Sequence, residues 1–257
     1  MVVPPPKSDA QSALVFSLAK AGSTLLFNLM LRIAPKAGLT YFSIEDYLFS
    51  QNVSSTRRPL DVGSTFHPKG YCYGGFRQFP AYPVPILHSS KVILLVRDPR
   101  DMITSLYFSV AYSHEIPEEG GPDNGAGAQL SSARQMAHEI GIDTYAKQAT
   151  RDYIRMFEGY VAQGFLWRPN VVIYRYEDII YRKREWVDDM CEWFGWDVPT
   201  ADREAAVDEF DELPSQERPN EHVRQVSPGN HKRHISEEAE QEIRARLSEY
   251  MELFGYT

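Results

Sequence analysis

The chain has 257 residues and a formal net charge of −8, long enough to bury a substantial core and too acidic for general nucleic-acid binding, which needs an extended basic face. No run approaches the roughly 18 apolar residues of a membrane span. The two cysteines, Cys72 and Cys191, lie far apart, so neither a disulfide framework nor zinc spacing is present. These features predict one domain over residues 1–257, cytoplasmic and reducing in setting, with no metal site.

The opening segment, "MVVPPPKSDAQ", is proline-rich and polar and lacks the basic start and apolar stretch of a secretory signal. Ala13 to Leu18 then form a short apolar run suited to a strand covered on both faces. Leu25, Leu26, Leu29, Met30 and Ile33 recur at helical spacing. Between the two lies "AKAGST". One reading is simple punctuation, a small residue and a hydroxyl cap at a strand-to-helix turn. The other is an anion cradle: a helix N-terminus carries unpaired N–H groups and partial positive charge, Gly22 permits close approach, and Lys20 adds a full charge. The phosphate-loop signature of nucleoside triphosphatases puts Gly-Lys-Ser/Thr at its end, whereas here the lysine precedes the glycine.

Residues 50 to 90 are rich in Pro, Gly and aromatics. Tyr71, Tyr73, Phe76, Phe79 and Tyr82 are read as satellite core, with a ligand-lining role as the alternative. "KVILLVRDPRDMITSLYFSVAYSH" repeats the opening logic: an apolar strand from Lys91, a charged turn with Pro99, then a helix carrying Met102, Ile103, Leu106 and Tyr107. The glycine- and acid-rich stretch from Glu115 to Ser132 predicts a mobile loop, of a length often used as a lid. A third apolar strand, "NVVIYRYEDII" from Asn170, leads into a helix whose Trp186, Met190, Trp193 and Phe194 share a face. Three strand-helix units predict a parallel sheet flanked by helices, with ligands beyond the C-terminal strand ends, where Lys20, Arg97 and Tyr176 fall.

Acids predominate from Asp202 to Glu221, read as a solvated surface containing a helix. "HVRQVSPGNHKRHIS" then gathers Arg224, Lys232, Arg233 and three histidines around a Pro-Gly turn. A final amphipathic helix starts near Ser236. Taken singly, Arg97 and Arg100 read as surface ion pairs with Asp98 and Asp101, and the late basic cluster reads as a solvated patch.

In combination and chain order, these elements resemble the sulfotransferases that use 3′-phosphoadenosine 5′-phosphosulfate (PAPS). That family's first strand-turn-helix reads approximately Pro-Lys-Ser-Gly-Thr-Thr-Trp, and "AKAGSTL" keeps Lys20, Gly22, Ser23 and Thr24 in register. "RDPRDMITS" supplies the family's Arg and later Ser as Arg97 and Ser105. Tyr176, Glu177 and Asp178 match its Tyr-Glu-Asp. "RQVSPGNHK" supplies its late Arg, Gly and Lys as Arg224, Gly229 and Lys232.

The resemblance implies a three-layer α/β sandwich with a mainly parallel central sheet, P-loop NTPase-like in outline. It implies in-line transfer of a sulfuryl group from PAPS to an acceptor hydroxyl or amine, leaving adenosine 3′,5′-bisphosphate (PAP). By the same resemblance, the turn of Lys20, Ala21, Gly22, Ser23, Thr24 and Leu25 cradles the 5′-phosphosulfate end. Arg97, Ser105 and Arg224 hold the 3′-phosphate, with Gly229 and Lys232 in the same basic loop. Tyr176 lies near the adenine, and Lys20 stabilises the leaving oxygen without a metal.

The chain departs from the family at two points. Leu25 stands where many relatives have Trp. The Lys-Xaa-His motif that carries the catalytic histidine in cytosolic members is missing: "YGGFRQFP" offers Arg77, a possible ligand contact, and no histidine. His67 and His114 are the candidate bases, with His231 a weaker third. The acceptor is a phenol or other apolar alcohol, or a carbohydrate; the aromatics between residues 66 and 82 suit either. A nucleoside or sulfonucleotide kinase and an inactive nucleotide-binding protein are the rival readings.

Overall fold

The computed structural model describes residues 3–50, 60–113, 126–211 and 226–256. In chain order its main elements are β1 (Ala13–Ser17), α1 (Ser23–Ile33), β2 (Thr40–Ser43), α2 (Ile44–Ser50), β3 (Tyr71–Phe76), β4 (Lys91–Val96), α3 (Pro99–Phe108), α4 (Ala126–Ala162), β5 (Val171–Arg175), α5 (Tyr176–Ile179), α6 (Lys183–Phe194), α7 (Thr200–Glu209), α8 (His231–His234) and α9 (Glu237–Leu253). They fall into two compact units, Met1–Val96 with Glu158–Asp211, and Arg97–Phe157 with Glu212–Thr257.

The first unit holds the sheet, in the order β2-β3-β1-β4-β5, and every pairing is parallel. Ala13 to Ser17 run in register with Lys91 to Leu95, and Val92 to Val96 with Val171 to Arg175. β1 is buried along its length and β4 from its second residue on, which is why both read as continuous apolar runs rather than alternating ones. β1 lies at the centre, with its successor in the chain, β2, at one edge and β4 on its other side. Its C-terminal end is therefore a topological switch point, where open parallel sheets bind ligands.

Three strands were legible in the sequence; β2 and β3 were not. The tyrosines and paired glycines of "YCYGGF" break the aliphatic pattern of a buried strand, yet β3 is buried throughout. The aromatics read as satellite core are central to this unit. Phe16 of β1 stacks on Phe76 of β3 with ring centroids 4.5 Å apart, and Phe165 lies 5.1 Å from Phe16. The N-terminal segment packs along the N-terminal edge of the sheet, where Pro4 O accepts from Tyr71 Oη at 2.7 Å and Pro5 O from Thr40 Oγ1 at 3.1 Å. Helix α1 carries a bidentate ion pair from Arg32 to Glu209 of α7.

The second unit is helical. Asp98 caps α3, accepting from Arg100 N at 2.9 Å, and Pro99 occupies the first helical position, where its missing N–H costs nothing. Ser236 caps α9 through Ala239 N, at the start expected from the sequence. Phe157 stacks on Tyr250 with centroids 5.0 Å apart. The loop predicted for residues 115–132 is helical from Ala126 onward; its earlier part lies outside the described residues. The helix is interrupted at Gly141 (φ 71°, ψ 170°).

Candidate active site

The turn after β1 is built by a short run of backbone bonds. Leu18 N donates to Leu95 O at 3.0 Å, extending the β1–β4 pairing by one residue, and Ala21 N donates to Leu18 O at 3.0 Å to close the turn. Lys20 is held at φ 67°, and among the described residues it alone is a non-glycine at positive φ. That conformation costs a residue with a Cβ about 1–2 kcal/mol, and such costs collect at functional sites. Gly22 follows at φ 98° as the N-cap of α1, with no side-chain cap. The first turn of an eleven-residue helix thus opens behind a residue that contributes backbone alone.

Gly22 is required for a second reason. A Cβ there would lie 2.8 Å from Tyr176 Cδ2 and 3.0 Å from Cε2. Tyr176 opens α5 directly after β5 and is 4% exposed. The structure therefore brings Lys20, Gly22 and Tyr176 together, with the tyrosine ring packed against the turn. Ala21 and Ser23 are buried, Lys20 and Leu25 half-buried, and Thr24 is exposed.

In the second unit, Arg97 is the residue immediately after β4 and is buried. Four residues on, Asp101 is fully buried, and one helical turn further Ser105 is half-buried; the i, i+4 spacing within α3 puts Asp101 and Ser105 on neighbouring positions of one helical row. Asp101 collects four donors. Its Oδ2 accepts from Arg97 Nη2 at 3.2 Å and from Gly229 N at 2.8 Å, and its Oδ1 from His231 N at 2.9 Å and His231 Nδ1 at 2.7 Å. Burial alone would raise the carboxyl pKa, but the His231 hydrogen bonds and the Arg97 charge outweigh it and hold Asp101 well below the usual carboxylate range.

Alongside, Arg100 clasps Asp98 at 2.7 Å and reaches Glu240 at 2.9 Å. Arg97 and Arg100 are thus not the surface ion pairs that their sequence alone suggested; both sit in buried pairs, where losing one partner strands a charge. Gly229 takes φ 79°, turning the chain so that its own N–H and that of His231 converge on one carboxylate. Lys232, three residues beyond that glycine, is exposed.

The sequence candidates for a base fare differently. His114 lies outside the described residues, as does Arg224. His67 is exposed and stacks its ring on Tyr71. It precedes Pro68, whose carbonyl accepts from Ser12 N at the entry to β1. His67 is therefore at the N-terminal edge of the sheet, more than the roughly 13 Å rise of β1 away from the Lys20 turn. His231 has Nδ1 committed to Asp101.

A carboxylate that sequence reasoning missed sits at the C-terminal edge instead. Glu45, in the first turn of α2, stands over the end of β3, its Cβ 3.3 Å from where a side chain on Gly75 would begin. Its Oε1 accepts from Tyr82 Oη at 2.6 Å. Arg77, at the same edge, is exposed and holds Asp46 at 3.3 Å, with its guanidinium 5.3 Å from the Phe27 ring centroid. The available signal was Ser43-Xaa-Xaa-Asp46, a capping pattern announcing a helix, which the structure closes through Ser43 Oγ and Asp46.

The sulfotransferase domain family's sequence model matches residues 79–255, more than half of the chain. The chain belongs to the sulfotransferase family. The matched span contains the Arg97, Tyr176 and Gly229 elements; the Lys20 turn precedes it. Among solved structures, a mouse sulfotransferase complexed with PAP superposes with a TM-score of 0.56 at 15% identity, covering 95% of this chain and 86% of that one. Retinol dehydratase with retinol and PAP gives 0.53 at 14% identity over 95% and 82%. The same enzyme with androsterone and PAP gives 0.52 at 13% over 93% and 80%. At such identities the agreement is one of fold, and that fold is the α/β sulfotransferase fold with a central parallel sheet. No characterised protein sequence matches closely enough to count as a relative. Among the described residues, no helix is long and apolar enough to cross a membrane.

Proposed function

We propose that this sulfotransferase takes its sulfuryl group from PAPS and passes it to a hydroxyl on a small molecule. Family membership decides against the kinase reading, and the observation that carries the donor assignment is the Lys20 turn: a strained lysine, a side-chain-free N-cap and the first turn of an eleven-residue helix at the switch point of a parallel sheet. These features suit a doubly charged phosphosulfate. In the second unit Arg97 and Ser105, with Lys232 and the glycine turn at Gly229, are assigned to the 3′-phosphate. Arginine is the side chain of choice there because its planar fork makes paired, charge-assisted bonds.

The reaction balances simply. The acceptor oxygen attacks sulfur, the bond from sulfur to the 5′-phosphate oxygen breaks, and PAP leaves with the electron pair. Lys20 neutralises charge growing on that oxygen, a contribution made chiefly in the transition state. The acceptor proton passes to Glu45, which shares the C-terminal sheet edge with the turn and is fixed by Tyr82; His67, at the other edge, takes no part. Tyr176 backs the turn and keeps Gly22 in place. The acceptor is assigned to the small-molecule class because retinol and androsterone occupy structures of the same fold, and because aromatic side chains lie at this edge, Tyr82 bonded to Glu45 and Phe27 under Arg77.

Calorimetric titration with PAP, adenosine 5′-monophosphate (AMP) and ATP, without magnesium, tests the donor assignment. PAP should bind in preference to both. Preference for ATP, or no binding of PAP, would overturn it.

A further inference from the structure

Asp101 is an unexpected residue to find beside an anion site, since a carboxylate repels phosphate. It is nonetheless fully buried, and it is the meeting point of two segments 128 to 130 residues apart in the chain. Resting on the PAPS reading above, we infer that Asp101 is the positioning residue of the 3′-phosphate subsite: it touches no ligand, and it fixes the Arg97 guanidinium and the Gly229–His231 turn in the one arrangement that recognises a 3′-phosphate.

Three features of the second unit carry this. First, Asp101 bonds to both elements at once: Oδ2 joins Arg97 to Gly229 N, while Oδ1 takes the main-chain and ring N–H groups of His231. Moving either element breaks a bond to the other. Second, Arg97 is buried and bonded to Asp101 four residues on, so much of the rotamer entropy of a long side chain is already lost before ligand arrives. Third, a neighbouring pair ties α3 to α9: Arg100, clasped by Asp98 at the α3 N-cap, is bonded to Glu240.

The charges make the arrangement selective. Arg97 and Arg100 are paired with Asp98, Asp101 and Glu240, so this cluster holds no excess of positive charge. It is not a general anion trap. What it offers a phosphate is placement of donors, and placement is what Asp101 supplies.

The test is the ratio of affinities for PAP and AMP, which differ by the 3′-phosphate, measured by calorimetry on the full chain. In the unaltered protein PAP should bind more tightly. In Asp101→Asn, which keeps shape but removes charge and converts one acceptor into a donor, PAP affinity should fall about tenfold or more, with AMP affinity unchanged. Arg97→Ala should lower PAP affinity strongly in the unaltered background and add little to Asp101→Asn, because the two act as one unit. Gly229→Ala serves if Asp101→Asn does not fold: its side chain meets no atom within 4 Å, so only the backbone turn is disturbed, and it should again lower PAP affinity and not AMP affinity. An unaltered protein that does not distinguish PAP from AMP would overturn the donor reading itself. A protein that does distinguish them, and keeps the same ratio in Asp101→Asn or in Gly229→Ala, would overturn the role given to Asp101 and leave the donor reading standing.

Discussion

Replacing Gly22 by alanine separates two costs that the structure assigns to one position. The first is conformational: φ 98° is a backbone that costs a residue with a Cβ about 1–2 kcal/mol. The second is steric: the new methyl would sit 2.8 Å from Tyr176 Cδ2, and that ring, 4% exposed, cannot swing aside. Overpacking of a tight site costs about 1–3 kcal/mol. Gly22→Ala should therefore lower stability by about 2–5 kcal/mol, measured by urea unfolding. In a Tyr176→Ala background the steric part vanishes, and the same change should cost only the conformational 1–2 kcal/mol. Equal costs in the two backgrounds would refute the contact. A cost near zero in the unaltered protein would refute both the contact and the left-handed turn.

Lys20→Ala should cut turnover by roughly 10²- to 10³-fold while leaving PAP affinity nearly intact; equal loss of both would remove the leaving-group role. Lys20→Gly should lose the same activity but unfold no more readily, or resist urea by up to about 1 kcal/mol more, since it relieves the φ 67° strain. Glu45→Gln should lower turnover by about 10²- to 10⁴-fold without changing PAP affinity, whereas His67→Ala should leave turnover unchanged; the reverse pattern would return the base to the histidine. The lowered pKa of Asp101 means that its ionised form is stabilised by folding, so its contribution is complete above the ordinary carboxylate value of 3.8 and fades as pH falls further. The stability gap between the unaltered protein and Asp101→Asn should be constant near neutrality and shrink in strong acid; a gap that narrows already around pH 6 would contradict the lowered value.

What the sequence disclosed and what it hid follow the range of the interactions. The Lys20 turn was legible because strand, turn and helix lie within twenty residues and each carries its own pattern. The pattern that carries Arg97 and Ser105 is just as local, a strand end and the helix directly after it. Asp101 was visible only as one of several neighbouring charges, because the atoms that give it meaning, Gly229 N and His231, arrive from the far end of the chain. β3 was hidden by composition, since glycine and tyrosine do not announce a buried strand. His67 was misjudged because counting along a chain does not reveal strand polarity: it precedes β3, whereas the Lys20 turn follows β1, and in a parallel sheet those are opposite edges. Glu45 was passed over because β2 was.

Sulfuryl transfer from PAPS, with Lys20 assisting the departure of PAP, is open to direct measurement. The most direct test follows PAP formation from PAPS across a panel of phenols, apolar alcohols and saccharides, with the unaltered protein and Lys20→Ala side by side. PAP should appear with at least one acceptor class and fall by two orders of magnitude or more in the variant. PAPS bound with no acceptor ever modified, or PAP formed equally well without Lys20, would contradict it.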